Sequence, residues 1–148
     1  RRVFEERINS IVDSARRHDS PLTIVSMDLD RFKLINDTLG HAEGDTVLKN
    51  VASTLASMIR GCDLLVRLGG DEFLLVLPDT DLVSARCLAE RIRVEVERLE
   101  IYAGTGDKLG ISIGISQWCS ELSIDDWLQS ADELLYMAKD LGRHRVCC

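Results

Sequence analysis

Residues 64–77 read Leu-Leu-Val-Arg-Leu-Gly-Gly-Asp-Glu-Phe-Leu-Leu-Val-Leu, and this stretch decides the fold. Two apolar runs flank a polar centre that contains two adjacent glycines. Because so few residues separate the two runs, we expect them to pair as an antiparallel hairpin. A hairpin in the middle of the chain argues against a doubly wound parallel sheet, which needs strands and helices to alternate throughout.

Outward from the hairpin, helical and strand patterns follow one another along the chain. The order is helix, strand, helix pair, hairpin, helix, strand, helix, which indicates an α/β sandwich with a mixed sheet. A loop with Gly40, His41 and Gly44 separates the paired helices. The sequence predicts helices over 1–17, 32–36, 45–60, 81–100 and 123–142, and strands over 22–27, 64–68, 73–77 and 109–116.

Composition places the chain among single-domain proteins of the aqueous phase. Its 148 residues are 45% hydrophobic and 29% charged, and no apolar stretch is long enough to span a bilayer. The net charge of −7 disfavours nucleic-acid binding, although a metal ion still permits a nucleotide ligand. The cysteines number five and show no metal-binding spacing, so we expect reduced thiols and a cytoplasmic location. Because no apolar stretch is long enough to span a bilayer, we expect no membrane contact from this segment.

Two pairs of acidic residues lie at the ends of predicted strands. Asp28 and Asp30 close the first strand, where a hard cation such as Mg²⁺ would relieve their repulsion. The alternatives are that both are solvated turn residues, or that one is a phosphorylatable aspartate of the receiver type. The hairpin disfavours the receiver alternative, because a receiver needs alternating strands and helices. Asp71 and Glu72 follow the two glycines of the hairpin, where acidic residues are also common for solubility alone. If the hairpin lies beside the first strand, Asp28 and Asp71 converge on one cation.

Cationic and amide side chains complete the set of candidates. Lys139 and Arg143, four apart at the end of the last helix, form either a phosphate clamp or a basic helix terminus that complements the dipole. Lys33 lies just downstream of Asp28. Asn36 and Asp45 flank the glycine loop as a pair suited to a guanine edge, or as helix caps.

Taken in order, these segments resemble the GGDEF domain family over essentially the whole chain. The resemblance implies a fold similar to adenylyl cyclase catalytic and polymerase palm domains, with a central five-stranded, mostly antiparallel sheet flanked by helices. It also implies diguanylate cyclase activity, in which two GTP molecules give cyclic di-GMP and two pyrophosphates. The motifs that carry the resemblance are 28–37 (Asp-Leu-Asp-Arg-Phe-Lys-Leu-Ile-Asn-Asp), Gly40-His41, Gly44-Asp45, 67–73 (Arg-Leu-Gly-Gly-Asp-Glu-Phe), 112–116 (Ser-Ile-Gly-Ile-Ser) and 138–143 (Ala-Lys-Asp-Leu-Gly-Arg).

The resemblance assigns roles by matching position. Asp28, Asp71 and the Leu29 carbonyl would hold Mg²⁺ or Mn²⁺, and Asp71 with Glu72 would promote attack by the 3′-hydroxyl. Lys33 would stabilise charge developing on the phosphates. Asn36 and Asp45 would hold guanine, and Lys139 and Arg143 would hold the outer phosphates. The residues implied to bind GTP are Phe32, Asn36, His41, Asp45, Lys139 and Arg143.

Two features of the family extend beyond a single site. One chain offers one nucleotide site, so the resemblance implies a homodimer in which two bound GTP molecules attack each other. Arg60-Gly-Cys-Asp63 matches the RxxD inhibitory site for cyclic di-GMP, with Arg91 in a supporting position. The alternative for that segment is an arginine at a helix end followed by an aspartate in a turn.

Departures from the family pattern are few. The usual opening segment is absent, so we expect a single domain, 1–148, taken from a longer multidomain signalling protein. His144 replaces the usual asparagine and is expected to lie outside the contacts. The alternative function is a non-catalytic GTP- or cyclic di-GMP-binding regulatory module. Retention of Asp28, Lys33, Asp71 and Glu72 favours an active enzyme.

Overall fold

A computed structural model describes residues 2–103 and 106–148 as a mixed sheet with helices on both faces. In chain order the elements are α1 Arg2–His18, β1 Leu22–Asp30, α2 Phe32–Leu39, α3 His41–Met58, β2 Leu64–Gly69, β3 Glu72–Pro78, α4 Leu82–Arg98, β4 Tyr102–Ala103, β5 Asp107–Lys108, β6 Gly110–Gln117, α5 Ile124–Asp140 and β7 Val146–Cys147.

The main sheet has five strands in the order β2-β3-β1-β6-β7. β1 lies at its centre and pairs antiparallel with both β3 and β6, while β7 pairs parallel with β6. β2 and β3 form the predicted hairpin, with a register shift between Arg67 and Gly69. The predicted five-stranded, mostly antiparallel sheet is therefore confirmed, and the fold is not a receiver.

Alternation along β1 divides the interior into two cores. Val25, Met27 and Leu29 face the larger core, which α2, α3 and α4 cover. Leu22 and Ile24 face a smaller core beneath α1 and α5. Because side chains alternate along a strand, Ser26, Asp28 and Asp30 continue on the α5 face, so the polar end of β1 points toward the last helix.

The strand β6 brings α5 unusually close to the sheet. Ile111, Ile113 and Ile115 face the larger core, which leaves the small residues of β6 toward α5. A Cβ added at Gly114 would lie 2.2 Å from the Leu135 nitrogen. No side chain fits at that position, and the predicted tightly packed face of this strand is confirmed.

The boundaries differ from expectation at the glycine loop. α3 begins at His41 and not at Asp45, so His41 and Gly44 belong to the first turn of a helix. Gly40 alone separates α2 from α3, with a φ of 89° that glycine adopts without strain. The Gly40 amide donates to the Asn36 carbonyl and the Gly44 amide to the Gly40 carbonyl, so hydrogen bonding is nearly continuous across the break.

Three short strands were not predicted. β4 and β5 pair as a small antiparallel ribbon, and β7 adds to the edge of the main sheet at Ile113 and Gly114. Each has two residues, too few to give a detectable alternation. The last helix begins as predicted, because the Ser123 hydroxyl accepts from the Asp126 amide as an N-cap.

No helix within the described ranges is both long and apolar enough to cross a membrane. All five cysteines carry free thiols.

Candidate functional site

The two acidic segments meet at one end of the sheet. In the β1–β3 register Asp28 lies opposite Glu72. The Leu29 amide donates to the Asp71 carbonyl at 3.2 Å, which extends the pairing to the hairpin tip. The hairpin therefore lies beside the first strand, and Asp28 comes next to the carboxylate pair that follows the two glycines.

Asp28 lies in a strongly charged environment. Burial raises the pKa of this carboxyl above its ordinary value, a hydrogen bond from Lys139 opposes the shift, and the charges of Asp71 and Glu72 raise the pKa further. The side chain of Asp28 is only 13% exposed, so it is not a solvated turn residue. The Lys139 ammonium lies 2.9 Å from an Asp28 oxygen and is the cation that partly offsets the repulsion.

Asp30 does not share this site, although it lies on the same face of β1. Its side chain is buried, with 5% exposure. One carboxylate oxygen accepts from the Ser112 hydroxyl at 2.8 Å and the other from the His144 amide at 2.9 Å. The carboxylate is thus committed to protein donors, and the expectation that Asp28 and Asp30 share a cation is wrong.

The residues at the strand end fit a hard divalent cation that keeps open positions. Asp28, Asp71 and the Leu29 carbonyl supply oxygen donors only, as Mg²⁺ prefers. Within the described ranges, no group of three or more histidine, cysteine, aspartate or glutamate side chains is arranged to hold a metal ion. Mg²⁺ in nucleotide enzymes is bound through one or two carboxylates, with water and substrate phosphates as its other ligands. Burial is the main cause of the raised pKa of Asp28, and the repulsion from Asp71 and Glu72 that adds to it is what such a cation would relieve.

A second feature lies at the junction of α2 and α3. A Cβ added at Gly44 would come within 1.8 Å of Asn36 Oδ1 and 3.4 Å of the Phe32 ring. The Asn36 amide therefore lies directly over the first turn of α3, in space that only glycine leaves open. Asp45 is the next residue and is exposed, as is His41.

Neither Asn36 nor Asp45 acts as a helix N-cap. The N-cap positions of α2 and α3 are Arg31 and Gly40, and neither makes a side-chain capping hydrogen bond. The alternative reading of the pair as helix caps therefore does not hold. The Asn36 side chain instead lies against the first turn of α3 at Gly44, and Asp45 follows Gly44 in that turn.

Several cations gather around a cavity of about 620 Å³ that adjoins the strand end. Lys33 reaches it from the first turn of α2 and Arg143 from the segment after α5. Lys139 does not line this cavity but pairs with Asp28. Lys108 of β5 also lines it and was not predicted, because β5 reaches this cavity only through folding. His144 lines the same cavity, next to Arg143, and the expectation that it makes no substrate contact stays a prediction.

The predicted inhibitory segment forms a tight turn after α3. The Arg60 amide donates to Asp63 Oδ2 at 2.7 Å, and the Asp63 amide donates back to the Arg60 carbonyl at 3.1 Å. Arg60, Asp63 and Arg91 line one cavity of about 320 Å³. The structure thus brings the three residues together, and Asp63 also has the structural role of closing its own turn.

Comparison with known proteins places this geometry in a family. The family described as "Diguanylate cyclase, GGDEF domain" matches residues 1–145. Diguanylate cyclase DosC of Escherichia coli is 40% identical over 134 residues, which cover 89% of this chain and 29% of DosC. Response regulator PleD of Caulobacter vibrioides is 40% identical over 150 residues, which cover 99% of this chain and 33% of PleD.

A solved structure gives the same result for the fold. The GGDEF domain of DgcB from Caulobacter crescentus, crystallised in complex with c-di-GMP, aligns with a TM-score of 0.91 at 28% identity. The alignment covers 99% of this chain and 88% of that one. The palm-like architecture fits, and the chain spans a third or less of the length of DosC and PleD. By its sequence over nearly its whole length, and by its fold, the chain belongs to the diguanylate cyclase GGDEF domain family.

Proposed function

We propose that this domain is a diguanylate cyclase that joins two GTP molecules into cyclic di-GMP and releases two pyrophosphates. The observation that carries the proposal is the meeting of Asp28, Asp71 and Glu72 at the end of β1, with Lys139 paired to Asp28. The relative DosC, 40% identical and named a diguanylate cyclase, supports it.

The acidic end of the site activates the nucleophile. Asp28, Asp71 and the Leu29 carbonyl would hold Mg²⁺ or Mn²⁺, which at such a site neutralises phosphate charge and acidifies a nearby hydroxyl. Asp71, with Glu72 beside it, accepts the proton from the 3′-hydroxyl as that oxygen attacks the α-phosphate. The bond to the pyrophosphate group breaks as the new phosphodiester bond forms.

The cations bind and stabilise the leaving group. Lys33 offsets charge that develops on the phosphates, and Lys139 and Arg143 hold the outer phosphates. Lys139 pairs with Asp28 at 2.9 Å. With a divalent cation bound, Asp28 would be one of its ligands, and Lys139 would be available to the triphosphate.

The corner between α2 and α3 recognises the base. The Asn36 amide supplies a donor and an acceptor, and the Asp45 carboxylate accepts from the guanine N1–H and exocyclic amine. Gly44 and Phe32 set the position of Asn36 by the close approach described above. His41, exposed at the start of α3, would lie near the bound base.

Catalysis requires two chains. One domain presents one such site, and the product contains two nucleotides, so two domains face each other with one GTP each. Cyclic di-GMP then inhibits by binding at Arg60, Asp63 and Arg91, which line one cavity. The cyclic di-GMP complex of the DgcB domain supports the class of ligand.

The test is turnover by a forced dimer, made by fusing the domain to a parallel coiled coil and incubating it with GTP and Mg²⁺. Chromatography should show cyclic di-GMP. Asp71→Asn should abolish turnover while circular dichroism and thermal unfolding stay unchanged. Asp79→Asn is the matched control: it makes the same chemical change at an exposed residue with a φ of 49°, which asparagine tolerates, and should retain full turnover.

Two results would contradict the proposal. If the dimer binds GTP but forms no cyclic dinucleotide, the domain is a binding module for GTP or cyclic di-GMP. If Asp71→Asn turns over at the wild-type rate, the assignment of the nucleophile-activating carboxylate is wrong.

A further inference from the structure

The buried carboxylate of Asp30 ties three separate elements together. It lies at the last position of β1 and accepts hydrogen bonds from the Ser112 hydroxyl of β6 and from the His144 amide after α5. A carboxylate with 5% exposure is costly to bury, and two donors offset that cost. Oδ2 binds the segment that carries Arg143, while Oδ1 binds β6.

The segment after α5 has an unusual backbone that needs support. Arg143 has a φ of 64° and His144 a φ of 47°, so two consecutive residues other than glycine are left-handed. Such residues are strained and persist where the surroundings fix them. The Arg143 amide donates to the Ala138 carbonyl at 3.0 Å, and the Asp30 carboxylate holds the next amide.

The neighbouring strand is shaped to admit this segment. Gly110 pairs with Asp30 across the β1–β6 ladder. A Cβ there would lie 3.0 Å from His144 Nδ1 and 3.2 Å from Asp30 Oδ2, so a larger residue would press on both groups and require them to shift by a few tenths of an ångström. The carbonyl of Arg145 also accepts from the Ile113 amide at 2.9 Å, which continues the attachment to β6.

The His144 side chain adds a further attachment. Its Nε2 lies 2.8 Å from Arg93 Nη1 on α4 and 3.3 Å from Glu97. The turn is therefore held through its backbone by Asp30 and through its side chain by α4. Arg143 lies next to these attachments, is itself exposed, and lines the cavity that Lys33 also lines.

We propose that Asp30 is a positioning residue for the reaction: it fixes the left-handed turn at Arg143 and His144 and thereby aims the Arg143 guanidinium at the triphosphate. This inference rests on the proposed function, in which Arg143 binds the outer phosphates. Asp30 does not touch substrate and acts only through the turn. Truncation of Asp30 should therefore weaken triphosphate binding without affecting recognition of guanine.

The experiment compares binding of two nucleotides by titration calorimetry in the presence of Mg²⁺. One is 3′-deoxy-GTP, which lacks the attacking hydroxyl, and the other is GMP, which lacks the outer phosphates. Asp30→Ala should weaken 3′-deoxy-GTP about tenfold, the loss expected when one charge-assisted contact is misplaced, and GMP less than about twofold. Asp30→Asn should restore binding, because the amide oxygen accepts from His144 while the amide nitrogen donates to the Ser112 hydroxyl.

A double-mutant cycle decides whether Asp30 acts through Arg143. Arg143→Ala should show the triphosphate-specific loss, and Asp30→Ala in that background should add nothing. Asp132→Ala is the matched control, since it removes a different β1–α5 contact, to the Ser26 hydroxyl at 2.7 Å, and should leave both nucleotides unaffected. If Asp30→Ala does not fold, Gly110→Ala displaces the same turn from β6 and should give the same selective loss.

The possible failures are distinguishable. If Arg143→Ala weakens 3′-deoxy-GTP but the Asp30 and Gly110 variants do not, or if the two losses add in the double variant, the positioning role is refuted. If Arg143→Ala itself has no effect on 3′-deoxy-GTP, the phosphate role in the proposed function fails.

Discussion

Replacement of Gly44 by alanine should impair recognition of guanine while leaving the fold intact. The added Cβ would lie 1.8 Å from Asn36 Oδ1, so that oxygen must retreat by roughly 1.2 Å to restore a 3.0 Å separation. The obstacle is the end of a flexible side chain, and the Phe32 ring at 3.4 Å stays in ordinary contact. The Asn36 amide therefore yields and leaves its position at the base pocket.

The effects on stability and on binding have different sizes. Alanine in a helix is favoured over glycine by about 1 kcal/mol, which offsets most of the cost of moving Asn36, so the free energy of unfolding should change by less than about 1 kcal/mol. Loss of the amide contacts to guanine, at about 1 kcal/mol each, should weaken GTP binding about tenfold. Binding should fall while stability does not.

The assay is calorimetric titration with 3′-deoxy-GTP and with ATP, alongside urea unfolding. Gly44→Ala should reduce the preference for the guanine nucleotide, and Asn36→Ala should reduce it equally, with no further loss in the double variant. Thr46→Ala, a change at an exposed position of the same helix, is the control and should match wild type. Undiminished guanine preference in a folded Gly44→Ala variant would refute the placement of Asn36 at the base.

Three further predictions concern other parts of the molecule. Gly114→Ala should destabilise the fold by about 3 kcal/mol, because its Cβ would meet the Leu135 backbone at 2.2 Å; urea unfolding measures this, and a loss below about 1 kcal/mol would contradict it. The raised pKa of Asp28 means that the neutral carboxyl suits the metal-free fold better, a contribution complete below the unfolded-state pKa and lost as pH rises through the folded one. Asp28→Asn should therefore raise the free energy of unfolding of the metal-free domain at pH 7. This advantage over wild type should shrink as pH falls toward about 4, and an advantage of equal size at both pH values would contradict the prediction. Arg60→Ala should relieve inhibition of the forced dimer by added cyclic di-GMP, and unchanged inhibition curves would remove Arg60 from that site.

Much of the fold was predictable because its main elements carry strong local patterns. The hairpin at 64–77, the long helices and the strand with Ile111, Ile113 and Ile115 each have the periodicity of their class. The Ser123 cap was visible for the same reason, since capping depends on residues three positions apart. These features needed no knowledge of tertiary contacts.

Other features depend on contacts between distant residues and carry no local signal. β7 exists only because the chain after α5 returns to the edge of β6. The start of α3 at His41 depends on near-continuous hydrogen bonding through Gly40, whereas glycines in sequence suggest a loop. Asp30 looked like a second cation ligand beside Asp28, and only folding shows that Ser112 and His144 occupy its carboxylate.

For the site itself, the sequence predicted which residues are candidates better than it predicted the contacts that their side chains make. The approach of Asp28 to the hairpin carboxylates follows from the strand register and was anticipated. The ion pair from Lys139 to Asp28 was not, because a basic residue in the last turn of a helix also complements the dipole. The roles of these residues in metal binding and catalysis stay predictions that the experiments above test.

The contact at Gly114 has a consequence for how the domain responds to ligands. With helix backbone against strand backbone and no side chain between them, α5 cannot slide or roll on the sheet without collision. The sheet and α5 therefore behave as one rigid body, and the ammonium of Lys139 moves with them. We expect adjustment to an arriving nucleotide to occur at glycines where the backbone has room to turn, among them Gly40 and the glycine pair between β2 and β3.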